Sequence, residues 1–176
     1  MSVELSTILK ALDFAAKKHR DQRRKDSNAT PYINHPIELA ELLVNEAGIN
    51  NPDVIIAAIL HDTVEDTETT VEELQEVFGN EIAEVVAEVT DDKSLPKAER
   101  KRLQVENAAA SSHNARLVKL ADKICNLRDM TKNSPVDWSE QRKRQYFDWA
   151  KSVIDQIRGT HPHLEELFDQ EYMKKP

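Results

Sequence analysis

The sequence has few of the residues that cross-link or interrupt a chain. It contains 1 cysteine in 176 residues, which excludes an internal disulfide and is typical of a protein of the reducing cytoplasm. Only 3 glycines and 7 prolines are present, so helices have few breakers. No apolar run approaches the roughly 18 residues that cross a bilayer, and the first residues lack the apolar stretch of a secretory signal. A mitochondrial presequence is the rival interpretation of this start, but Glu4 and Asp13 argue against it, and we expect a cytoplasmic protein without a membrane segment.

Positive charge is scarce overall but concentrated in two places. The formal net charge is −8, which has the wrong sign for a protein that coats a nucleic acid polymer. Segments 20–25 and 97–102 nevertheless each carry four Lys or Arg residues, which together are 8 of the 24 in the chain. Each segment is either a solvated helix face or part of a site for a small anion. Composition leaves both interpretations open.

Apolar residues recur at helical spacing along most of the chain. Leu5, Leu9 and Leu12 define one face of a first helix, and similar stripes follow as far as the C-terminal region. No segment alternates with a period of two, so we predict an all-α helical bundle without a significant sheet. Since there is no internal repeat or linker, we expect one domain over residues 1–176 with its core at roughly 5–160.

Capping residues and prolines in the sequence predict where two of the helices begin. His35 and Pro36 predict an N-cap followed by a proline at the first helical position, and Gly48 suits a left-handed helix end. Asn51 and Pro52 repeat the start signal. A second helix is therefore expected from residue 35 and a third from residue 51.

The third helix is unusual because it is apolar on every side. The run Val54–Leu60 contains no polar residue, which is typical of a central, buried helix. His61, Asp62, Glu65 and Asp66 follow it directly. On one continuous helix His61 and Glu65 share a face, four residues apart. Anionic groups at the end of a buried helix are costly unless a positive charge compensates them, and a metal ion does so economically.

Two further residues extend this cluster to a complete ligand set. His35 lies at the predicted helix start, and Asp122 lies within a later helix. Taken singly, His35 is equally well a capping residue and Asp122 a surface carboxylate. With His61 and Asp62 they supply two imidazoles and two carboxylates, a set that suits Mn²⁺, Fe²⁺ or Zn²⁺ better than Mg²⁺.

The order of these four residues resembles the metal-binding pattern of HD-domain phosphohydrolases. The surrounding motifs are similar to the hydrolase domain of the RelA/SpoT family, and in particular to the stand-alone metazoan SpoT homologues. The resemblance extends from about Leu12 to Gly159. The segments that carry it are Thr30–Pro36, His61–Thr67, Glu88–Pro96 with Glu99–Gln104, and Leu120–Asp129.

The resemblance implies a bundle of about ten helices that binds one Mn²⁺. It implies hydrolysis of the 3′-pyrophosphate of guanosine 3′,5′-bis(diphosphate), giving GDP and pyrophosphate. Metal binding would fall on His35, His61, Asp62 and Asp122, and catalysis on Glu65 and Asp66. A synthetase activity is not expected, because the chain ends without the further domains of the long bacterial relatives.

Several basic, polar and aromatic residues are expected to contact the nucleotide. The resemblance implies that Arg24 and Lys25 contact the base and phosphates, and that Asn126 and Asp129 contact the base or ribose. Among the remaining residues, we expect Lys97 and Arg142 to hold anionic oxygens and Tyr146 to line the pocket edge. The expected mechanism is attack on the phosphorus next to the ribose by a water that the ion activates and that Glu65 and Asp66 orient.

Two other functions compete with this hypothesis. The first is an HD phosphatase that removes the 2′-phosphate of NADPH or another ribose phosphate, and the second is a non-catalytic helical binding module. The intact ligand set argues against the binding module, since a decayed enzyme does not need all six residues. In either enzymatic case the expected partner is a small anionic nucleotide, and the sequence leaves the oligomeric state open.

Overall fold

The protein is a bundle of α-helices. The computed structural model describes residues 3–176, with side chains from Glu4 onward. Within that range there are ten α-helices and no β-strand, apart from one isolated antiparallel bridge between Arg23 and Pro31. Each helix of the described range is too short or too polar to span a bilayer. In chain order the helices are α1 (Val3–Lys18), α2 (Asn34–Glu41), α3 (Pro52–Leu60), α4 (Thr63–Asp66), α5 (Val71–Phe78), α6 (Asn80–Val89), α7 (Lys97–Ala108), α8 (His113–Lys132), α9 (Glu140–Ile154) and α10 (Pro162–Tyr172).

Helix α3 lies at the centre of the bundle. The side chain of Asn51 accepts a hydrogen bond of 3.0 Å from the backbone N–H of Asp53, and Pro52 is the first helical residue, as the sequence predicts. Every residue from Val54 to Leu60 is buried, and the helix packs against α1, α2, α6 and α8. A helix that is apolar all round fits this position because none of its faces meets water.

Helix α1 packs through a different face from the predicted one. Leu5 and Leu9 are 43% and 53% exposed, whereas Ala11 and Ala15 are completely buried. The buried pair is spaced by four residues, so it lies on one face, and α1 contacts α3 along its length. The predicted face is therefore wrong at Leu5 and Leu9, which turn outward, whereas Leu12 packs against the core as predicted. Small side chains allow α1 to approach α3 closely.

Helix α2 begins earlier than the sequence predicts. It starts at Asn34, so His35 lies in its first turn and does not cap it. The backbone N–H of His35 already bonds to the carbonyl of Tyr32 (3.0 Å), which closes a turn ahead of the predicted cap. The helix continues into a π-helical turn, Leu42–Glu46, and the chain then reverses at Gly48 with φ of 69°, the left-handed conformation that the sequence predicts.

The helical path breaks between α3 and α4. Asp62 has φ of −101° and ψ of 0°, and α4 begins at Thr63. The Thr63 hydroxyl donates to the carbonyl of Leu60 (2.7 Å), which satisfies one carbonyl at the end of α3. The expectation that one continuous helix carries both His61 and Glu65 is therefore wrong. The turn lets the neighbouring side chains of His61 and Asp62 converge, which a straight helix would hold about 100° apart.

The last three helices close the bundle. Helix α8 packs against α9 and α10, and Phe147, Leu164 and Phe168 are completely buried there. These residues belong to the same hydrophobic cluster as α3, so the core continues past residue 160 into α10. Cys125 on α8 is buried in that core, as expected for a thiol without a partner.

Candidate active site and metal centre

The four predicted metal ligands meet at the end of α3. His35 comes from α2, His61 and Asp62 from the break after α3, and Asp122 from the middle of α8. His61 Nε2 lies 2.8 Å from an oxygen of Asp62 and 3.8 Å from an oxygen of Asp122. His35 Nε2 lies 3.2 Å from the same Asp122 oxygen. Three different helices thus bring together two imidazoles and two carboxylates that are far apart in the sequence.

The free ring nitrogens of this cluster fit a divalent cation. His61 Nδ1 donates to the carbonyl of Ala58 (2.8 Å), so Nε2 of a neutral ring carries the lone pair. That Nε2 is buried without a hydrogen-bond partner, although the Asp62 oxygen is only 2.8 Å away. His35, His61 and Asp62 each offer a ligand atom within 4.8 Å of the other two, and Asp122 approaches both imidazoles. Electron pairs that face one another without a proton between them are the arrangement that a cation resolves.

The electrostatics of the cluster point the same way. Burial alone lowers the pKa of His61, but the carboxylates of Asp62 and Asp122 outweigh burial and raise it to about 9. Burial raises the pKa of Asp62, and the adjacent His61 more than reverses this, so that the carboxyl is strongly acidic. The pKa of Asp122 is likewise held well below its usual range, against burial, chiefly by Lys123. The two carboxylates thus concentrate negative charge beside the imidazoles, and a cation would compensate that charge.

Three side chains outside the ligand set hold the two carboxylates in place. The hydroxyl of Tyr32 donates to Asp62. Asn126 Nδ2 donates to one oxygen of Asp122 (2.7 Å), and Lys123 Nζ contacts the other (2.8 Å). Such outer contacts orient metal ligands and tune their basicity. Sequence reasoning did not assign Tyr32 or Lys123 a role, although each lies within a quoted motif and Lys123 directly follows Asp122.

Glu65 lies beside the ligands with one oxygen fixed. Its Oε1 accepts a hydrogen bond of 2.8 Å from the backbone N–H of Asp91. Burial raises the pKa of Glu65 to about 7, helped by Asp62 and opposed by the Asp91 N–H. A carboxyl with a pKa near neutrality can exchange a proton at physiological pH, as a general base requires.

Asp66 is held more firmly than Glu65. Gln22 Nε2 donates to one of its oxygens (2.9 Å), and Lys93 Nζ lies 2.5 Å from the other. The same ammonium is 3.8 Å from Glu65, so it contacts both predicted catalytic carboxylates. Gln22 and Lys93 were not anticipated from the sequence, because each reaches the site from a loop, one after α1 and one before α7.

Two cavities adjoin the ligand cluster. The larger has a volume of about 440 Å³ and the smaller about 190 Å³. Both are lined by Tyr32, His35, Asp66 and Asn126, so they meet at the ligands. The larger lies within the range that holds drug-sized ligands, roughly 300–1,000 Å³, and the smaller falls below it.

Most of the predicted nucleotide contacts line the larger cavity. They are Arg24, Lys25, Asn126, Asp129 and Tyr146. The guanidinium of Arg24 pairs with Asp129, lies 3.3 Å from the amide oxygen of Asn126 and sits 5.6 Å from the ring centre of Tyr32. These contacts preorganise Arg24 before any ligand binds.

Lys97 and Arg142 do not line either cavity but lie at the rim of the larger one. Both rest on the ring of Trp138, at 5.9 Å and 4.1 Å from its centre, and Trp138 itself lines the cavity. Burial, followed by the charges of Arg142 and Lys25, lowers the pKa of Lys97. The structure therefore gathers cations around an aromatic ring that sequence reasoning missed, since no periodic pattern marks a loop tryptophan.

Comparison with known proteins identifies the family of this arrangement. The family model described as HD domain matches residues 11–148, which include all four ligands of the cluster. The chain belongs to the HD-domain family. That fold is the fold of metal-dependent phosphohydrolases, as the sequence analysis expects, and HD domains bind divalent metals.

Individual relatives match the HD-domain protein over nearly its whole length. The human protein named guanosine-3′,5′-bis(diphosphate) 3′-pyrophosphohydrolase MESH1 is 57% identical over 166 residues, which are 94% of this chain and 93% of that one. The Drosophila melanogaster protein of the same name is 51% identical over 168 residues, 96% of this chain and 94% of that one. A solved structure described as a metazoan ortholog of SpoT that hydrolyzes ppGpp superposes with a TM-score of 0.93 at 49% identity, and covers 99% of this chain and 96% of that one.

Proposed function

We propose that this protein hydrolyses the 3′-pyrophosphate of guanosine 3′,5′-bis(diphosphate), giving GDP and pyrophosphate, as one cytoplasmic hydrolase domain over residues 1–176. The observation that carries the proposal is the convergence of His35, His61, Asp62 and Asp122, with Glu65 beside them, at the junction of two cavities. Relatives that carry this activity in their names support the choice of substrate.

One divalent ion per chain would be held by His35, His61, Asp62 and Asp122. A mixed set of nitrogen and oxygen donors without thiolate suits Mn²⁺, with Fe²⁺ or Zn²⁺ as substitutes. When bound, such an ion polarises a phosphoryl oxygen and lowers the pKa of water. Tyr32, Asn126 and Lys123 serve this centre by holding the two carboxylates in position.

Glu65 is the group best placed to accept a proton from the attacking water. One of its oxygens is fixed by the Asp91 N–H, the other lies 3.8 Å from Lys93 Nζ, and Glu65 lines the smaller cavity with Asp66. In the reaction, a water oxygen bonds to the phosphorus next to the ribose, and the bond from that phosphorus to the ribose 3′-oxygen breaks. The water proton goes to Glu65, the 3′-oxygen takes a proton from solvent and leaves as the hydroxyl of GDP, and pyrophosphate is released as Glu65 returns its proton to solvent. Asp66 acts with Glu65 by orienting the water, and Lys93 holds Asp66.

The larger cavity takes the nucleoside and its 5′-diphosphate. Arg24 and Lys25 supply charge close to the ligands, and Tyr146 and Trp138 supply aromatic surface. A guanidinium such as that of Arg24 both stacks on a purine and pairs with phosphate. Lys97 and Arg142 would add further anion contacts at the rim, and Asn126 and Asp129 would contact the ribose or base.

The decisive experiment compares substrates on purified protein. The protein is incubated with Mn²⁺, Fe²⁺ or Zn²⁺ and a nucleotide panel that includes guanosine tetraphosphate and NADPH, and products are identified by mass. We expect GDP and pyrophosphate from the tetraphosphate, at a higher kcat/KM than phosphate release from NADPH. A clear preference for NADPH at low salt would contradict the proposal, and so would equal activity after the metal is removed with chelator.

A further inference from the structure

The smaller cavity contains a lysine that the mechanism described above does not use. Lys119 on α8 lines this cavity and is only 9% exposed. Within residues 3–176 its ammonium makes no hydrogen bond and no ion pair, whereas the cavity's other lysine, Lys123, pairs with Asp122 at 2.8 Å. The two lysines are four residues apart on the same helix, so they share a face.

A buried ammonium without an anion is costly. Burial, followed by the neighbouring charge of Lys123, lowers the pKa of Lys119. The carboxylates of Asp91, Asp122 and Glu88 act on it only from beyond ion-pair distance. Removing one partner of a buried charge pair is strongly destabilising, so an unpaired buried lysine that faces a cavity indicates an anionic ligand.

We propose that the smaller cavity is the subsite for the outer phosphoryl group of the pyrophosphate, and that Lys119 is its charge partner. The inference rests on the proposed function, because it assigns a place to one part of that substrate. It adds a specificity-determining residue that lines the smaller cavity together with the four ligands and does not line the nucleoside cavity.

The arrangement of the two cavities indicates where the outer phosphoryl group of the substrate lies. Water attacks the phosphorus next to the ribose, so that phosphorus lies at the ligand cluster, where both cavities meet. The ribose and base then extend into the larger cavity of about 440 Å³. Of the four ligands, His61, Asp62 and Asp122 line only the smaller cavity of about 190 Å³, so the outer phosphoryl group, which points away from the ribose, extends into that cavity beside Lys119. Its size admits a phosphoryl group with a few waters, since liquid water occupies about 30 Å³ per molecule, and excludes a nucleoside.

The remaining lining of the smaller cavity is compatible with an anion. Its carboxylates are already engaged: Asp62 and Asp122 belong to the ligand cluster, Glu65 accepts from the Asp91 N–H, and Asp66 is held by Gln22 and Lys93. Gln104 also lines it, with its amide donating to Asp91 at 2.7 Å. Lys119 is therefore the lining cation whose charge is uncommitted. A ribose monophosphate leaves this subsite empty, so the subsite favours pyrophosphate over monophosphate substrates.

The test is the variant Lys119→Met assayed on two matched substrates, guanosine tetraphosphate and guanosine 5′-diphosphate 3′-monophosphate. We expect kcat/KM for the tetraphosphate to fall about tenfold, as for loss of a hydrogen bond to a charged group. Activity on the monophosphate should stay within about twofold, because that substrate does not reach Lys119. Lys17→Met is the control: Lys17 is exposed, pairs only with Asp13 and lines neither cavity.

Further variants and a binding measurement distinguish a wrong inference from a variant that folds poorly or a wrong substrate. Lys119→Arg keeps the charge and should retain the preference for pyrophosphate, and Lys119→Gln should behave like Lys119→Met even if the methionine variant folds poorly. Equal loss on both substrates, or no loss on either, overturns the inference. If the wild type hydrolyses neither substrate, the proposed function is contradicted, but the subsite can still be tested separately. Calorimetry then measures the binding of inorganic pyrophosphate to Mn²⁺-loaded protein. Weaker binding by Lys119→Met than by Lys17→Met supports it, and equal binding overturns it.

Discussion

The site has two charged regions that are built in opposite ways. The carboxylate cluster consists of Asp62, Glu65, Asp66 and Asp122, and each of its members is fixed by a hydrogen bond or an ion pair. The cationic rim consists of Lys25, Lys97, Lys101 and Arg142, of which Lys97 and Arg142 lie over Trp138 and Lys101 lies over Trp149. In the described part of the chain no rim cation has a carboxylate within ion-pair distance; Lys97, Lys101 and Arg142 rest on aromatic rings instead.

This difference separates the chemical step from substrate binding. Burial and the neighbouring cations lower the pKa of Lys97 and of Lys101, so the rim charges repel one another. An anion that binds there relieves the repulsion, but exposed charges are screened by salt. The carboxylate cluster is partly buried and is screened less, so changes within it should affect metal binding and catalysis at low and at high salt.

The strongest test removes a ligand of the carboxylate cluster. Asp62→Ala and Asp122→Ala should each lose bound metal, because one of four ligand side chains is missing. Activity should fall roughly a thousandfold or more, since a metal supplies several kcal/mol of transition-state stabilisation. Elemental analysis and kcat/KM measure the two effects, with Asp13→Ala as a control on exposed α1. A variant that keeps both metal and activity would remove that residue from the metal centre.

A second test distinguishes two roles within the same cluster. Glu65→Ala and Asp66→Ala should keep the ion and lose turnover by roughly a hundredfold or more, the contribution of general acid–base groups. The reason is that, within residues 4–176, Asp62 and Asp122 lie within ion-pair distance of the two imidazoles, whereas Glu65 and Asp66 do not. Metal content and kcat are measured on the same preparation. Release of the ion by Glu65→Ala would show that this residue is a ligand instead.

The third test uses pH to examine Glu65. Its pKa is raised to about 7, and a general base accepts a proton only when it is deprotonated. Activity should therefore rise with pH, with an acid limb at about pH 7 or below because the bound ion stabilises the carboxylate. The profile of kcat over about pH 5 to 8 should lose this limb in Glu65→Ala. An unchanged limb in the variant would assign it to another group.

The smallest effect is expected at the cationic rim. Arg142→Ala and Lys97→Ala should raise KM for guanosine tetraphosphate about fivefold each with kcat unchanged, since partly exposed cation contacts contribute about 1 kcal/mol. Added salt should raise KM of the wild type more than that of either variant. Initial rates at two ionic strengths measure this. A fall in kcat at constant KM would mean that the rim takes part in the chemical step.

Local sequence patterns were sufficient to predict much of the fold and the residues of the candidate site. The unbroken apolar run Val54–Leu60 predicted a central helix, and Asn51 with Pro52 predicted its start. The structure also brings His35, His61, Asp62 and Asp122 together, as their order in the chain suggests. Periodicity and capping are local properties, so a single sequence carries them.

Other features depended on packing between distant segments. Leu5 and Leu9 face outward because α1 approaches α3 through Ala11 and Ala15, and no local pattern favours the smaller residues. The turn at Asp62, which makes two neighbouring side chains converge, is likewise invisible to helical spacing.

By itself, then, the sequence determined which residues are apolar, where the central helix α3 starts and which donors are available for a metal. The tertiary structure decided which of those residues meet. It placed Trp138 under Arg142, fixed Glu65 against Asp91, and buried Lys119 beside a cavity with no ion-pair partner among residues 4–176. These contacts join residues from separate helices and loops, and their energies depend on burial and distance, which arise only when the bundle closes.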